Sequence, residues 1–240
     1  MSRTALVFAT STDVGKSIAS AGLLRAARRA GCSPLYYVKP VQTGPVTDEA
    51  FIRSNAPVDV AVTLFAYPEP LSPHVAARRG AMPTTRPPTG REIREALSKV
   101  MAPAANSATS FTLVETAGGV LSPSPDGTLQ ADVLRLSRLP AVVVGDGRLG
   151  GISNTLMALE ALLSRQYSVA AVLLFADDAD EARLGNAAFL REQLPVPVRR
   201  ATAVPSEGPL EGFYGANAAV FDAVLNDVLV GHPERGQVEP

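Results

Sequence analysis

Lysine is scarce in this chain. Of 22 basic residues only three are Lys, at positions 16, 39 and 99, and the other 19 are Arg. A function that needs a compact ammonium therefore has three candidates. Cysteine is scarcer still. Cys32 stands alone, which excludes an internal disulfide and a cysteine-rich metal site. His occurs only at 74 and 232, so a multi-histidine metal centre is excluded too. Net charge is nearly absent, −1 with a pI near 6.2, which argues against a nucleic-acid-binding surface. No apolar run reaches the roughly 18 residues of a membrane span. Met1-Ser2-Arg3 leads directly into an apolar stretch, so neither a signal peptide nor a transit peptide is expected. The expectation is a soluble protein of a reducing compartment.

What is present suits a globular α/β chain. With 240 residues, 46% hydrophobic and 19% charged, it can bury a normal core. Residues 4–9 form a short apolar run that fits a strand buried on both faces. Residues 15–30 read as a helix with Arg25, Arg28 and Arg29 on one solvent face, stopped by Gly31. Residues 34–39 read as a second strand, closed by Pro40 and Gly44. Residues 45–90 are harder: a short helix near 48–54, a Pro-rich stretch from Tyr67 to Pro73, and a loose segment over 80–90. A helix is expected at 91–101, a strand at 111–115, loop over 120–130, and a strand at 139–144. Then come a helix at 152–165, a strand at 169–175, a helix at 181–193, a strand at 196–201 and a last helix at 215–229. Residues 231–240 read as a frayed tail or the start of a linker. Strands alternating with helices predict a doubly wound, mostly parallel three-layer sheet, with ligands at the carboxyl ends of the strands. No internal boundary is visible, so 1–230 is expected to be a single domain.

The sharpest motif is Ala9-Thr10-Ser11-Thr12-Asp13-Val14-Gly15-Lys16-Ser17, between the first strand and the first helix. That is the context of a phosphate-binding loop. Backbone amides of residues 12–17 and the helix N-terminus attract phosphate oxygens, Lys16 supplies a point charge, and the Ser17 hydroxyl suits Mg2+. The start departs from the standard loop. Thr10 stands where Gly is usual, and Ala9 where a longer variant would place it. Residue 9 therefore cannot need a positive φ. The plainer alternative is a strand–turn–helix with a capping Ser or Thr.

Three further segments carry chemistry. Lys39-Pro-Val-Gln-Thr43-Gly44 ends the second strand and would set a second ammonium beside the phosphate loop; a surface lysine is the alternative. Glu115, at the end of the third apolar strand, can hold Mg2+, with Asp48 as a further oxygen ligand or simply a solvated carboxylate. Gly118-Gly119 allows close approach of amides to a ligand, or makes a plain turn. Asp146-Gly-Arg-Leu149-Gly-Gly-Ile-Ser153 opens a helix whose amides could take a carboxylate, with N-capping by Ser153 or Asp146 as the alternative. His74 reads as structural, and Asp177-Asp178-Asp180 as a solvated strand end.

In order along the chain, the phosphate loop ending Val14-Gly-Lys-Ser17, Lys39-Pro-Val-Gln-Thr-Gly44, Ser72-Pro-His74, Val114-Glu-Thr-Ala-Gly-Gly119 and Leu149-Gly-Gly-Ile152 resemble dethiobiotin synthetase over roughly residues 3–230. Tyr37–Gly44, Val114–Val120, Ser122–Gln130 and Val144–Ser153 look most like the synthetase half of the fused eukaryotic enzyme that also carries diaminopelargonate aminotransferase. The resemblance implies an ATP-dependent ligase. CO2 carbamoylates one amine of 7,8-diaminopelargonate, the carbamate attacks the γ phosphate of MgATP, and the second amine closes the ring of dethiobiotin. It implies that Thr12 lies near the carbamate and γ phosphate, and that Lys16 and Lys39 neutralise the transferring group. It also implies Ser17, Asp48 and Glu115 as Mg2+ ligands and Thr43 as a substrate contact. Leu149, Gly150, Gly151, Ile152 and Ser153 would receive the substrate carboxylate from a neighbouring subunit, hence a homodimer. A fused or separate aminotransferase is an implied partner, and no nucleic acid or membrane is. The implied compartment is the cytoplasm, or the mitochondrion if the chain belongs to a eukaryotic fusion. One departure concerns the base: Asp177 and Asp178 stand where the family has an adenine-reading Asn, and an ionised Asp only accepts. A partitioning-type ATPase switch is the runner-up, but residues 9–14 lack the extra lysine of that group. A degenerate nucleotide-binding, dimerising domain is a third reading.

Overall fold

The computed structural model describes residues 3–80, 86–137, 139–176 and 181–230. Asp177, Asp178, Asp180, residues 81–85 of the loose 80–90 segment and the 231–240 tail lie outside the described residues.

The strands are β1 (Arg3–Ala9), β2 (Leu35–Thr43), β3 (Val60–Tyr67), β4 (Phe111–Glu115), β5 (Ala141–Val144), β6 (Val169–Phe175) and β7 (Val198–Ala201). They form one seven-stranded sheet in the order β3-β2-β4-β1-β5-β6-β7. All its pairings are parallel, as the alternation of elements predicts. β1 is central: Val7 registers with Glu115 of β4, and Ala9 with Val144 of β5.

Successive side chains of β1 point to opposite faces. Ala5, Val7 and Ala9 pack into one hydrophobic cluster, Leu6 and Phe8 into the other. The first face is covered by α1 (Lys16–Arg29), α2 (Asp48–Asn55) and, through Phe213, Tyr214 and Phe221, α8 (Glu211–Ala216) and α9 (Ala218–Val230). The second is covered by α4 (Gly90–Ala105), α5 (Gln130–Leu134), α6 (Gly151–Leu163) and α7 (Glu181–Gln193). The result is three layers around a sheet buried on both sides. Among the described residues no helix is long and apolar enough to cross a membrane.

Several expectations need correction. The open region 45–90 contains edge strand β3 and a helix, α3 (Pro73–Gly80). β2 runs through Pro40 to Thr43, so Lys39 is inside the strand rather than at its end. Pro40 is tolerated because β4 stops pairing at Val38, and no ladder donor is needed there. The last helical stretch is two helices with Asn217 between them. The arginines of α1 are not a free solvent face. Arg25 pairs with Glu211 at 2.6 Å and lies 4.8 Å from the Tyr214 ring centre, Arg28 pairs with Asp59, and Arg29 with Asp222. Gly31 does end α1, with a positive φ of 78°.

Candidate active site

The loop from Thr10 to Gly15 joins β1 to α1 at the carboxyl end of the sheet. It turns through Asp13 (φ 57°) and Gly15 (φ 94°), the latter being the residue from which α1 starts. A glycine is the natural occupant there. Gly15 offers no side-chain cap to α1, so the capped-turn alternative fails. The hydroxyl of Ser17 goes elsewhere. It lies 2.9 Å from Asp48 Oδ1 and 3.0 Å from Glu115 Oε1. Phe175, at the end of β6, backs the turn: a Cβ on Gly15 would sit 2.8 Å from its ring.

Three parallel strands bring the other groups to this point. Val38 registers with Val114, so Lys39 comes beside Glu115. Glu115 is fully buried and accepts four donors. Oε1 takes Lys39 Nζ (2.8 Å) and Ser17 Oγ (3.0 Å), and Oε2 takes Ser20 Oγ (2.7 Å) and Tyr37 OH (3.1 Å). Lys39 Nζ also pairs with Asp48 Oδ2 at 2.6 Å and donates to the Thr116 carbonyl at 3.0 Å. Asp48 is placed by α2, whose N-cap Thr47 accepts from the Ala50 amide. The Asp48 amide donates to Gln42 Oε1 at 3.3 Å.

The electrostatics follow. Burial pushes the Lys16 ammonium down to about 8, and the neighbouring Lys39 charge adds to the effect. Burial acts the same way on Lys39, but Glu115 and Asp48 more than offset it and hold that ammonium above its ordinary value. Burial disfavours the Asp48 carboxylate, yet Lys39 and Ser17 hold it below the ordinary range. Burial, then Glu115, push the Tyr37 hydroxyl well above its ordinary value.

A cavity of about 530 Å³ opens over this cluster. Thr12, Asp13, Gly15, Lys16, Ser17, Lys39, Thr43, Asp48, Glu115 and Gly118 all line it. Val14 lies instead on a second cavity of about 330 Å³, with Gly145, Asp146, Arg148, Phe175 and Val204. Gly119 borders a third of about 510 Å³, with Thr10, Asn154 and Met157. The Gly119 amide is not free for a ligand, since it donates to Ser122 Oγ at 2.9 Å. The residue serves close packing: a Cβ there would stand 3.0 Å from the Thr10 carbonyl oxygen. Leu149, Gly150, Gly151, Ile152 and Ser153 border none of these cavities. Leu149 is fully exposed, at 101%. Neither Ser153 nor Asp146 caps α6, which starts from Gly150 without a side-chain cap. Asp146 instead accepts the Arg148 amide at 2.9 Å and pairs with its guanidinium. His74 bonds Ser72 at 2.9 Å and lines none of the three.

Ser20 and Tyr37 were not singled out from the sequence, although a signal was there. Ser20 lies one helical turn after Ser17, and Tyr37 two residues before Lys39 on the same strand face. Gln130, which clasps Ala117 through both its amide and carbonyl (2.9 and 2.7 Å), had no such signal.

Ser17 Oγ, Asp48 and Glu115 present only hard oxygen donors that already converge within hydrogen-bond distance, so they fit Mg2+. Two carboxylates and a hydroxyl suit an ion that keeps waters and shares phosphate oxygens. No cluster of three or more His, Cys, Asp or Glu stands among the described residues.

A phosphate loop at the head of the central strand of an all-parallel, three-layer sheet defines a P-loop NTPase-type α/β protein. Two solved structures share this fold. The cell division ATPase MinD of Pyrococcus furiosus is 16% identical, covers 96% of this chain and 99% of its own, and has a TM-score of 0.61. MinD of Pyrococcus horikoshii OT3, complexed with Mg-ADP, is 13% identical, covers 95% and 96%, and has a TM-score of 0.60. A family model described as an AAA domain matches residues 3–212. The bifunctional dethiobiotin synthetase/adenosylmethionine-8-amino-7-oxononanoate aminotransferase of Emericella nidulans is 41% identical over 207 residues, 84% of this chain and 26% of its own length. The mitochondrial bifunctional protein of Oryza sativa subsp. japonica is 33% identical over 96% of this chain and 34% of its own. The ATP-dependent dethiobiotin synthetase BioD of Mycobacteroides abscessus is 34% identical over 85% of this chain and 86% of its own. The chain belongs to the dethiobiotin synthetase family, and it spans about a quarter to a third of the bifunctional relatives.

Proposed function

We propose that the chain is an ATP-dependent dethiobiotin synthetase acting on 7,8-diaminopelargonate and CO2. The observation that carries this is one cavity lined by Thr12, Lys16, Ser17, Lys39, Asp48 and Glu115 at the head of the phosphate-loop helix. A carbamate oxygen formed on one amine attacks the γ phosphorus of ATP, and ADP leaves. The second amine attacks the carbonyl carbon of the resulting carbamic–phosphoric anhydride, phosphate leaves, and the cyclic urea closes. Loop amides 12–17 orient the phosphates, and Lys16 and Lys39 offset the charge on the transferring group. Thr12 would meet the γ phosphate, and Thr43 and Gly118, which line the same cavity, would meet the diamine. Ser17, Asp48 and Glu115 would hold Mg2+, which when bound neutralises charge on the phosphate oxygens. Such a site works chiefly by positioning, worth roughly 7–11 kcal/mol in favourable cases.

Leu121 (47% exposed) and Met157 (56%) leave an apolar surface at the third cavity, and Leu149 is exposed elsewhere on the chain. That surface supports a homodimer in which the Leu149–Ser153 turn reaches the neighbouring subunit's substrate. Residues 1–230 form a single domain on this reading, working in the cytoplasm, or in the mitochondrion as one half of a fusion with the aminotransferase.

The test is direct. Purified protein given 7,8-diaminopelargonate, bicarbonate and MgATP yields dethiobiotin by mass spectrometry, with ADP in equal amount. ATP hydrolysis indifferent to the diamine, with no dethiobiotin, overturns the proposal.

A further inference from the structure

Lys39 stands between two carboxylates. Its side chain is 3% exposed and its ammonium has three N–H groups. Three acceptors surround it: Asp48 Oδ2 at 2.6 Å, Glu115 Oε1 at 2.8 Å and the Thr116 carbonyl at 3.0 Å. Every donor is used. To reach a phosphate or a carbamate, Lys39 has to release at least one of these partners.

The two carboxylates it binds are also the two that, with Ser17, fit a divalent cation. They come from separate elements, Asp48 from the first turn of α2 and Glu115 from the end of β4. Something positive has to hold them together, because like charges this close repel and are poorly solvated in a buried site. An ammonium between them does this, and so does a divalent cation. Both cannot be held at full strength, because a cation seated with Ser17 would share Glu115 Oε1 with Lys39 and repel the ammonium on the other Asp48 oxygen.

We propose that Lys39 and the divalent cation compete for Asp48 and Glu115. Lys39 is thus a positioning residue that keeps the carboxylate pair assembled, and cation entry frees its ammonium for the phosphoryl group. The same event that installs the metal then also delivers the lysine. The inference rests on the metal ligands assigned under the proposed function, but not on the reaction.

The test needs neither ATP nor diamine. Mn2+ binding to the full chain is followed by electron paramagnetic resonance, in wild type and in Lys39→Met. Removing the competitor tightens Mn2+ by at least about tenfold, equivalent to about 1.4 kcal/mol. Adding Asp48→Asn to Lys39→Met abolishes that gain. Unchanged or weaker Mn2+ binding in Lys39→Met overturns the proposal, and a merely structural lysine gives that weaker result. Should Lys39→Met not fold, wild type suffices. With three lysines in the chain, the ammonium 1H–15N spectrum is sparse. Added Mg2+ should move the Lys39 signal and leave that of Lys99 in place; a Lys39 signal indifferent to saturating Mg2+ overturns the proposal. Dethiobiotin formation is scored separately, so the ligase reading and this one can fail independently.

Discussion

Replacing Glu115 by Gln tests how the site is held together. The carboxylate is wholly buried and accepts from Ser17, Ser20, Tyr37 and Lys39. A Gln of the same shape has one oxygen and one NH2 group. The NH2 must take the Oε2 position, because Ser20 and Tyr37 can turn their hydroxyls and accept while Lys39 cannot. Shape and hydrogen bonds survive, and the charge does not. Lys39 is left with one full carboxylate partner, Asp48. Hydrogen bonds to charged groups are worth about 1.5–3 kcal/mol, and uncovering one partner of a buried pair about 3–5 kcal/mol. Because Asp48 remains, the expected loss is about 3 kcal/mol. With a urea m-value of about 3 kcal/mol/M, the midpoint falls by about 1 M. The assay is urea unfolding of wild type, Glu115→Gln, Lys39→Met and the double variant in chelator. The two single losses should fail to add by more than about 1 kcal/mol, as expected for groups in direct contact. A loss below about 1 kcal/mol with additive effects would refute the four-donor cage around Glu115.

Two further outcomes follow. The Lys16 ammonium is held at about 8, below its ordinary 10.5, so between these values the unfolded chain binds more protons and Lys16's contribution to stability rises with pH. Nucleotide binding runs the other way: calorimetric ATP affinity should fall from about pH 7 to about pH 9.5 as the ammonium discharges, and a flat profile would contradict the assignment. Gly119→Ala places a Cβ 3.0 Å from the Thr10 carbonyl, so the phosphate loop has to shift. That should cost about 1–3 kcal/mol in thermal unfolding and weaken ATP further; wild-type behaviour in both would show that the loop is not seated on Gly119.

Much of this arrangement was legible because apolar runs and glycines mark strands and turns strongly. Strands 111–115 and 169–175 and helix 181–193 carry the expected bounds. β3 carries the same kind of signal, the apolar, β-branched and aromatic run Val60–Tyr67, but it sits between Pro57 and the Pro-rich stretch that starts at Tyr67, which hid it among breakers. Pro40 read as a stop, since nothing in the sequence shows that β4 ends its pairing two residues earlier. Lys16, Ser17, Lys39, Asp48 and Glu115 were picked out one motif at a time, and the sheet register brings them to one cavity. What stayed hidden was how the groups bind each other. The saturation of Lys39 and the four donors on Glu115 depend on distances that no spacing encodes.

The placement of β1 and α9 also bears on how the chain is made. Leu6 of β1 pairs with Val114 on one side and Ala141 on the other. The ring of Phe221, in α9, rests on the backbone of α1 at Gly22, beside Phe213 and Tyr214. During synthesis, the first strand and the phosphate-loop helix leave the ribosome long before any of these partners. Closing such distant pairings is slow, and the apolar faces of β1 and α1 stand bare meanwhile. β1 and α1 are therefore translated well before the strands and the helix that clamp them, and their apolar faces stay open to other contacts until those partners arrive.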